Sequence, residues 1–453
     1  MKRQSSALFT DHYELTMVES ALQSRIAGQQ CVFEVFARGL PPGRAYGVVA
    51  GIDRVLDAVT RFRFDSETVR HLQASGVIQS DLMADWLRDY SFRGDITGYA
   101  EGELFFPYSP VLTVSGSFAD CLVLETVLLS ILNHDCAVAS AAARVADSAP
   151  ERLLIEGGSR RTDPESAVAA ARAAHIAGFD MTSNLEAGRR HGIPTSGTTG
   201  HAFVLAHSSE SEAFRVQRDT LGVNSTYLVD TFEVLEGIRR AVDVVGVDIA
   251  AIRIDSGELL ADSRSARCLL DELGAYKCRI VVSSDLDEFL IAELEAAGAP
   301  IDAYLVGTRL VTGSGHPTAS LVYKLVAIAS GDGAAGLRAV GKLSPKKRTI
   351  GGQKTVHRTL DANGYFSAEV LSVLPVEVPE RSLCPQVPLL RNGSVVAVDG
   401  GVSSSRSRCV DRREYLQARD RTPWPRTTPA VSTIWQGIEE PVSKAVRNGE
   451  YRS

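Results

Sequence analysis

What this chain lacks sets limits before any motif is read. No two of its seven cysteines (Cys31, Cys121, Cys136, Cys268, Cys278, Cys384 and Cys409) stand in CxxC spacing, and an odd, scattered set speaks for neither a disulfide framework nor a zinc site. A reducing, cytoplasmic setting is therefore expected. No apolar run approaches the roughly 20 residues of a membrane-spanning helix, and the opening MKRQSSALFTDHYELTM is too polar for a secretory leader. No membrane partner is expected. There is no basic excess either: 48 Lys and Arg against 55 Asp and Glu leave a net charge of -7, which disfavours nucleic acid as a partner. Low-complexity tracts are missing, and 44% hydrophobic with 23% charged residues is the balance of a folded chain.

What is present is a repeated theme. At 453 residues the chain has room for two or three cores. Through its middle, short β-branched or apolar runs end in polar clusters and lead into helix-like segments. Seven endings follow this plan: GGSRR at Gly157 to Arg161, Asp180 in IAGFDMTSN, Thr198 in IPTSGTTGH, Asp230 in TYLVDTF, Asp255 in AIRIDSGEL, Ser283 in RIVVSSDLDEF, and Gly307 in AYLVGTRL. From Asp230 onward they recur about every 25 residues, the length of a βα unit, so a parallel sheet is predicted. Asp255 or Ser256 ahead of Glu258, and Asp285 ahead of Glu288, read as helix-start signals.

The expected architecture is α/β. Residues 1–118 read as an N-terminal α+β domain and 119–335 as the βα-rich catalytic domain, opening on a buried helix over 121–145. Residues 336–453 read as a region of short antiparallel strands packing back on the N-terminal domain, with loops and one helix in the last 30.

In a parallel sheet the strand C-termini share one edge, so the polar clusters should converge on one site. That edge would carry Arg160, Arg161, Phe179, Asp180, Thr198, His201, Asp230, Arg253, Asp255, Ser256, Ser283, Ser284, Asp285, Gly307 and Thr308. Arginines beside hydroxyls suit phosphate or carboxylate, and carboxylates beside them suit Mg²⁺ or a ribose diol. The combination describes a sugar-phosphate site. The alternative for any single Asp or Ser is that it only caps its helix. His201 stands behind Gly197, Thr198, Thr199 and Gly200, residue types that bring a backbone close to a phosphate but do not by themselves call for an imidazole. A lone histidine is more often structural, as His207 is read to be, and a His201–His207 metal pair has no third ligand in sequence.

The stretches TDHYELTM, FEVFARGLP, GGSRR, GFDMTSN, GIPTSGTTGHAF, RIDSGEL, VSSDLDE, VGTRLVTG and VYKL resemble the nicotinate phosphoribosyltransferase family, in order, from residue 8 to about 325. The resemblance implies an irregular α/β barrel of the type II phosphoribosyltransferase kind, with a separate N-terminal domain and a C-terminal extension. It implies formation of nicotinate mononucleotide and pyrophosphate from nicotinate and 5-phosphoribosyl 1-diphosphate in NAD salvage, with Mg²⁺ as cofactor and ATP as co-substrate. It also implies a homodimer with a shared active site. Carried over motif by motif, His201 would be the phosphorylated histidine, and Thr198 and Arg253 the nicotinate contacts. Phe179 and the partner subunit's Tyr13 would sandwich the ring. Arg160, Arg161, Asp255, Ser256, Ser283, Ser284, Asp285, Gly307 and Thr308 would hold the phosphoribosyl group, and Asp230 or Asp255 would face the developing positive charge.

This chain has Gly200 and Ala202 where the family usually writes alanine and serine around the histidine. The rivals are a nicotinamide-using or quinolinate enzyme of the same fold, and a non-catalytic nucleotide-binding relative.

Overall fold

Five of the seven short apolar runs form strands of one six-stranded parallel sheet in the computed structural model, whose sixth strand follows Asp180 instead of ending at it. The model describes residues 4–330, 336–342, 349–373, 377–396, 401–422 and 430–436. The basic segment 343–348 and most of the last 30 residues lie outside them. The strand order is Met181–Thr182, Leu153–Glu156, Ala303–Val306, Arg279–Ser284, Ala251–Ile254, Thr226–Leu228, and every pairing is parallel. From Thr226 the strands add one beside the next until Ala303–Val306 lies against Leu153–Glu156. The sheet thus curls into an incomplete barrel whose C-terminal ends form a single rim.

Two expected strands are not built: the run before Asp180 ends helix Pro164–Ile176, and the run before Thr198 stays irregular. Residues 192–200 contribute a single parallel bridge, Thr195 to Thr182, because Gly192, Pro194, Gly197 and Gly200 cannot sustain a ladder. Side chains span the seam instead. Thr199 donates to the buried Gln217 Oε1 (3.1 Å), and Gln217 Nε2 donates to Ser225 Oγ (3.1 Å) and to the Thr226 carbonyl (3.0 Å).

The helix starts differ from the sequence reading. Helix Leu259–Glu272 has Glu258 at its N-cap, with no side-chain cap from Asp255 or Ser256. Helix Glu288–Ala296 is capped by Asp287, which accepts from Phe289 N (3.1 Å) and Leu290 N (3.0 Å). Helix Val234–Val245 is capped by Glu233. Asp230, Asp255 and Asp285 are therefore all free of capping duty, and the bland alternative fails for each.

The chain divides into two compact units, one of residues up to 137 and from 318 onward, the other chiefly of 138–317. The sequence boundaries at 118 and 335 differ from these for two reasons. Strand Leu321–Ala329 pairs antiparallel with Gln30–Ala37, from Cys31↔Ile328 to Ala37↔Leu321, and so belongs with the first residues of the chain. The helical stretch Phe118–Ser148, buried as expected, also begins in the first unit. At 31 residues it is long and apolar enough to cross a membrane, but most of it is buried within the fold.

In the first unit a seven-stranded sheet joins chain ends far apart in sequence, with Gln386–Arg391 paired to Asp95–Tyr99. Its core holds a fully buried Arg358 that donates to Glu369 (2.8 Å), Glu103 (2.8 Å) and the Leu104 carbonyl (2.5 Å), under the rings of Tyr99, Phe106 and Phe366. The C-terminal strands are not all antiparallel, since Phe366–Ser372 pairs in parallel with Ser432–Gln436. Helix Gly401–Glu414 was not foreseen, because GVSSSRSRCVDRRE carries almost no apolar period.

One close approach sets the position of the rim. Gly237, in the first turn of helix Val234–Val245, lies so near the preceding strand that a Cβ would sit 2.1 Å from the Val229 carbonyl oxygen. Only glycine lets the helix rest there, one residue before Asp230. Gly237→Ala is expected to lower stability by about 1 to 3 kcal/mol through overpacking, measured by denaturant unfolding. Unchanged stability would show that the strand end yields freely.

Candidate active site

Asp230 is the hub of the rim. It follows strand Thr226–Leu228, and its side chain is only 2% exposed. A buried carboxylate needs donors, and Asp230 takes them from two other segments. Its Oδ1 lies 3.2 Å from His201 Nε2, and its Oδ2 accepts from Asp255 N (2.9 Å) and Ser256 Oγ (2.9 Å). One carboxylate thus fixes the histidine and the turn after strand Ala251–Ile254.

The 40% exposed His201 imidazole opens the short helix His201–Leu205. Because an ionised carboxylate only accepts, Nε2 is the donor of this pair, and Nδ1 makes no hydrogen bond among the described residues. His207 bonds through Nδ1 to the Phe203 carbonyl at 2.8 Å and packs on the Phe203 ring, a local structural role.

Arg253 projects from the neighbouring strand beside this pair. Its NH1 donates to Thr198 Oγ1, its NH2 lies 3.8 Å from Asp255 Oδ1, and its buried Nε has no hydrogen-bond partner. Only 14% of the side chain is exposed. Burial pulls the guanidinium below its ordinary pKa; Asp255 and Asp230 act the other way, and the positive charge of Arg160 adds to the lowering. The buried Ser283 donates to Asp255 Oδ1, and with 29% of its side chain exposed Asp255 remains the accessible carboxylate of the group.

The remaining rim positions divide by exposure. Arg160 and Arg161 are exposed in the single turn Ser159–Arg161 after strand Leu153–Glu156, and Ser284, Asp285 and Ser256 are exposed at their strand ends. Gly307 and Thr308 are half-buried where strand Ala303–Val306 turns into helix Thr308–Val311. Asp180, expected on this edge, is not on it: it precedes strand Met181–Thr182, is half-buried, and accepts from Leu154 N through Oδ2 (3.0 Å) on the N-terminal side of the sheet.

Phe179 is fully buried in this chain, its N–H bonded to the Ala174 carbonyl (3.0 Å) and its carbonyl to His175 Nδ1 (2.8 Å). Both oxygens of Asp230 are engaged by protein donors.

Tyr13 belongs to the first unit, on helix His12–Gln23, and is 45% exposed. Partial burial, Glu125, Glu14 and Asp11 push its phenol pKa up to about 12, so it stays neutral at physiological pH. The sequence reading missed Gln217, Glu156 and Asn184. Glu156 had a signal, a lone acid ending an apolar run just before GGSRR; Gln217 and Asn184 had none.

The chain is similar to proteins of one family. Residues 8–133 match the model of the nicotinate phosphoribosyltransferase N-terminal domain. A nicotinate phosphoribosyltransferase of Mycobacterium tuberculosis, pncB1, is 51% identical over 86% of this chain and 87% of its own length. One from Bacillus subtilis is 36% identical over 81% and 76%. The crystal structure of human nicotinic acid phosphoribosyltransferase superimposes with a TM-score of 0.80 over 97% of this chain and 99% of its own, at 22% identity, which supports the fold. With half of its residues identical to a relative aligned over most of both chains, and with the type II fold on the page, this chain belongs to the nicotinate phosphoribosyltransferase family.

Proposed function

We propose that the chain joins nicotinate to the ribose of 5-phosphoribosyl 1-diphosphate, releasing pyrophosphate, as a step of NAD biosynthesis, and that it couples this to ATP hydrolysis through a phosphorylated His201. The observation that carries the reading is Arg253, a nearly buried cation with an unpartnered Nε beside the Thr198 hydroxyl. Such a group calls for an anionic, planar ligand, and a pyridine carboxylate fits it.

Glycosyl transfer needs no protein nucleophile. The pyridine nitrogen attacks C1 of the ribose as the C1–O bond to pyrophosphate breaks, so the protein's part is alignment and charge stabilisation. Arg253 and Thr198 orient the ring. Asp255, the accessible carboxylate, faces the developing positive charge. Arg160, Arg161, Ser283, Ser284, Gly307 and Thr308 surround the phosphoribosyl diphosphate. Among the described residues no group of three or more His, Cys, Asp or Glu could hold a metal. Mg²⁺ carried by a diphosphate needs only one or two protein carboxylates, and Asp255 fits that role. When bound, the ion would neutralise the leaving group.

The test is initial-rate kinetics with nicotinate and with nicotinamide, each with and without ATP. Nicotinate mononucleotide is the expected product, and preference for nicotinamide would favour the rival enzyme. Arg253→Ala should raise the nicotinate KM far more than that for phosphoribosyl diphosphate, by roughly 2 to 5 kcal/mol in binding for a desolvated charge pair. Equal losses for both substrates would sink the assignment.

In the phosphohistidine step Nδ1 of His201 takes the γ-phosphoryl group of ATP as the bond to the ADP oxygen breaks, while Asp230 holds the proton on Nε2 and steadies the imidazolium character. Enzyme mixed with γ-labelled ATP should acquire acid-labile, base-stable label, and His201→Ala should lose both label and ATP hydrolysis while retaining slow mononucleotide formation. A folded variant that hydrolyses ATP at the normal rate would refute the role.

The site is completed by Tyr13 of a second subunit in a homodimer. Its neutral, partly exposed ring is suited to stacking on a pyridine. Mixed dimers of Tyr13→Ala and Arg253→Ala chains should regain activity, because one of their two sites is intact. No recovery above the parent variants would count against a shared site.

A further inference from the structure

Glu156 ends strand Leu153–Glu156, fully buried, and has no ion-pair partner among the described residues. Its partners are neutral donors: Gly158 N to Oε1 (2.5 Å) and Thr182 Oγ1 to Oε2 (2.5 Å). A charge buried against neutral donors is costly, and an apolar residue would fill the space more cheaply. What the carboxylate supplies is geometry. Thr182 Oγ1 also accepts from Asn184 N (2.9 Å), and the Asn184 amide donates to Ser159 Oγ (3.0 Å) while capping the next helix through Ala187 N (2.9 Å). The bonds close a ring through Glu156, Gly158, Ser159, Asn184 and Thr182. Gly158 is pressed so tightly within it that a Cβ would lie 2.2 Å from Val311 Cγ1. The next residues out of the ring are Arg160 and Arg161, and the charge of Arg160 is felt at Arg253.

We propose that Glu156 is a positioning residue for phosphoribosyl diphosphate: its buried carboxylate clamps the Gly157–Arg161 turn to the Thr182–Asn184 loop and so holds Arg160 and Arg161 in place for the substrate's phosphates. This rests on the reading of those two arginines as phosphoribosyl contacts. Burial raises the Glu156 pKa, and the bonds from Thr182 and Gly158 oppose that rise.

The test compares Glu156→Gln, Thr182→Val, Thr182→Ser, Arg160→Ala and Arg161→Ala in the full chain. It reads the KM for each substrate, kcat, phosphoribosyl diphosphate binding by titration, and the thermal midpoint. Glu156→Gln and Thr182→Val should each raise the phosphoribosyl diphosphate KM by about tenfold or more, as loss of an orienting partner does, with the nicotinate KM and kcat little changed. Thr182→Ser keeps the hydroxyl and should stay near wild type. The Glu156→Gln, Thr182→Val double variant should be little worse than Glu156→Gln alone, because the two act in one network. If Glu156→Gln fails to fold, the Thr182→Val and Thr182→Ser pair decides. Parallel loss of both KM values, kcat and thermal stability would make Glu156 merely structural and overturn the proposal. If the arginine variants weaken phosphoribosyl diphosphate while Glu156→Gln and Thr182→Val do not, the clamp fails and the arginine reading stands. If the arginine variants bind it normally, that reading fails first and the clamp falls with it.

Discussion

A carboxylate taken out of water must be given donors, and the need of Asp230 organises the catalytic rim. Its three partners come from two stretches far apart in sequence, the 201 helix and the 255–256 turn. The parallel sheet makes this possible, since only strands running the same way bring the ends of Thr226–Leu228 and Ala251–Ile254 to one edge. The open seam between Thr195 and Thr226 makes it necessary. Where no backbone ladder joins the two sides, Thr199–Gln217, Thr198–Arg253 and His201–Asp230 join them through side chains. The proposed chemistry is therefore concentrated where the barrel is incomplete, and the same bonds that close the seam orient its functional groups.

The legible part of the fold was the part governed by local pattern. Short β-branched runs closed by Asp230, Asp255, Ser283 and Gly307 at nearly constant spacing require one sheet with one polar edge, and the structure has it. Features that depend on pairing over long separations were not legible. Nothing in LVYKLVAIA states that it pairs with the strand around Phe33 rather than with the barrel, because both environments accept an apolar run. The 401–414 helix was hidden because its stability comes from tertiary contacts, such as Arg412 to Glu103 at 2.7 Å, and not from an apolar stripe. At the site, residue types were readable and their duties were not. Asp230 and Asp255 look alike in sequence, yet one is committed to protein donors and the other keeps an exposed face, a difference of burial that only the folded rim creates.

GFDMTSN straddles its strand and does not end it: Phe179 and Asp180 precede Met181–Thr182, and the polar residues at the strand's C-terminal end, Thr182 and Asn184, carry the loop. The rim's charges partly balance: burial disfavours the Arg253 charge most, Asp255 and Asp230 favour it, and Arg160 adds a smaller repulsion.

The departures around His201 can be weighed on the same footing. Gly200 has open space around its missing Cβ and gives the short helix no side-chain cap, so an alanine there would neither clash nor add a bond. Ala202 is exposed and makes no polar contact through its side chain. Neither neighbour can therefore hold the imidazole. Its orientation falls to Asp230, itself anchored by Asp255 N and Ser256 Oγ, and through that anchor the histidine is linked to the turn proposed to face the ribose. In the proposed mechanism a short physical path, histidine to buried carboxylate to substrate turn, would link phosphoryl transfer to glycosyl transfer.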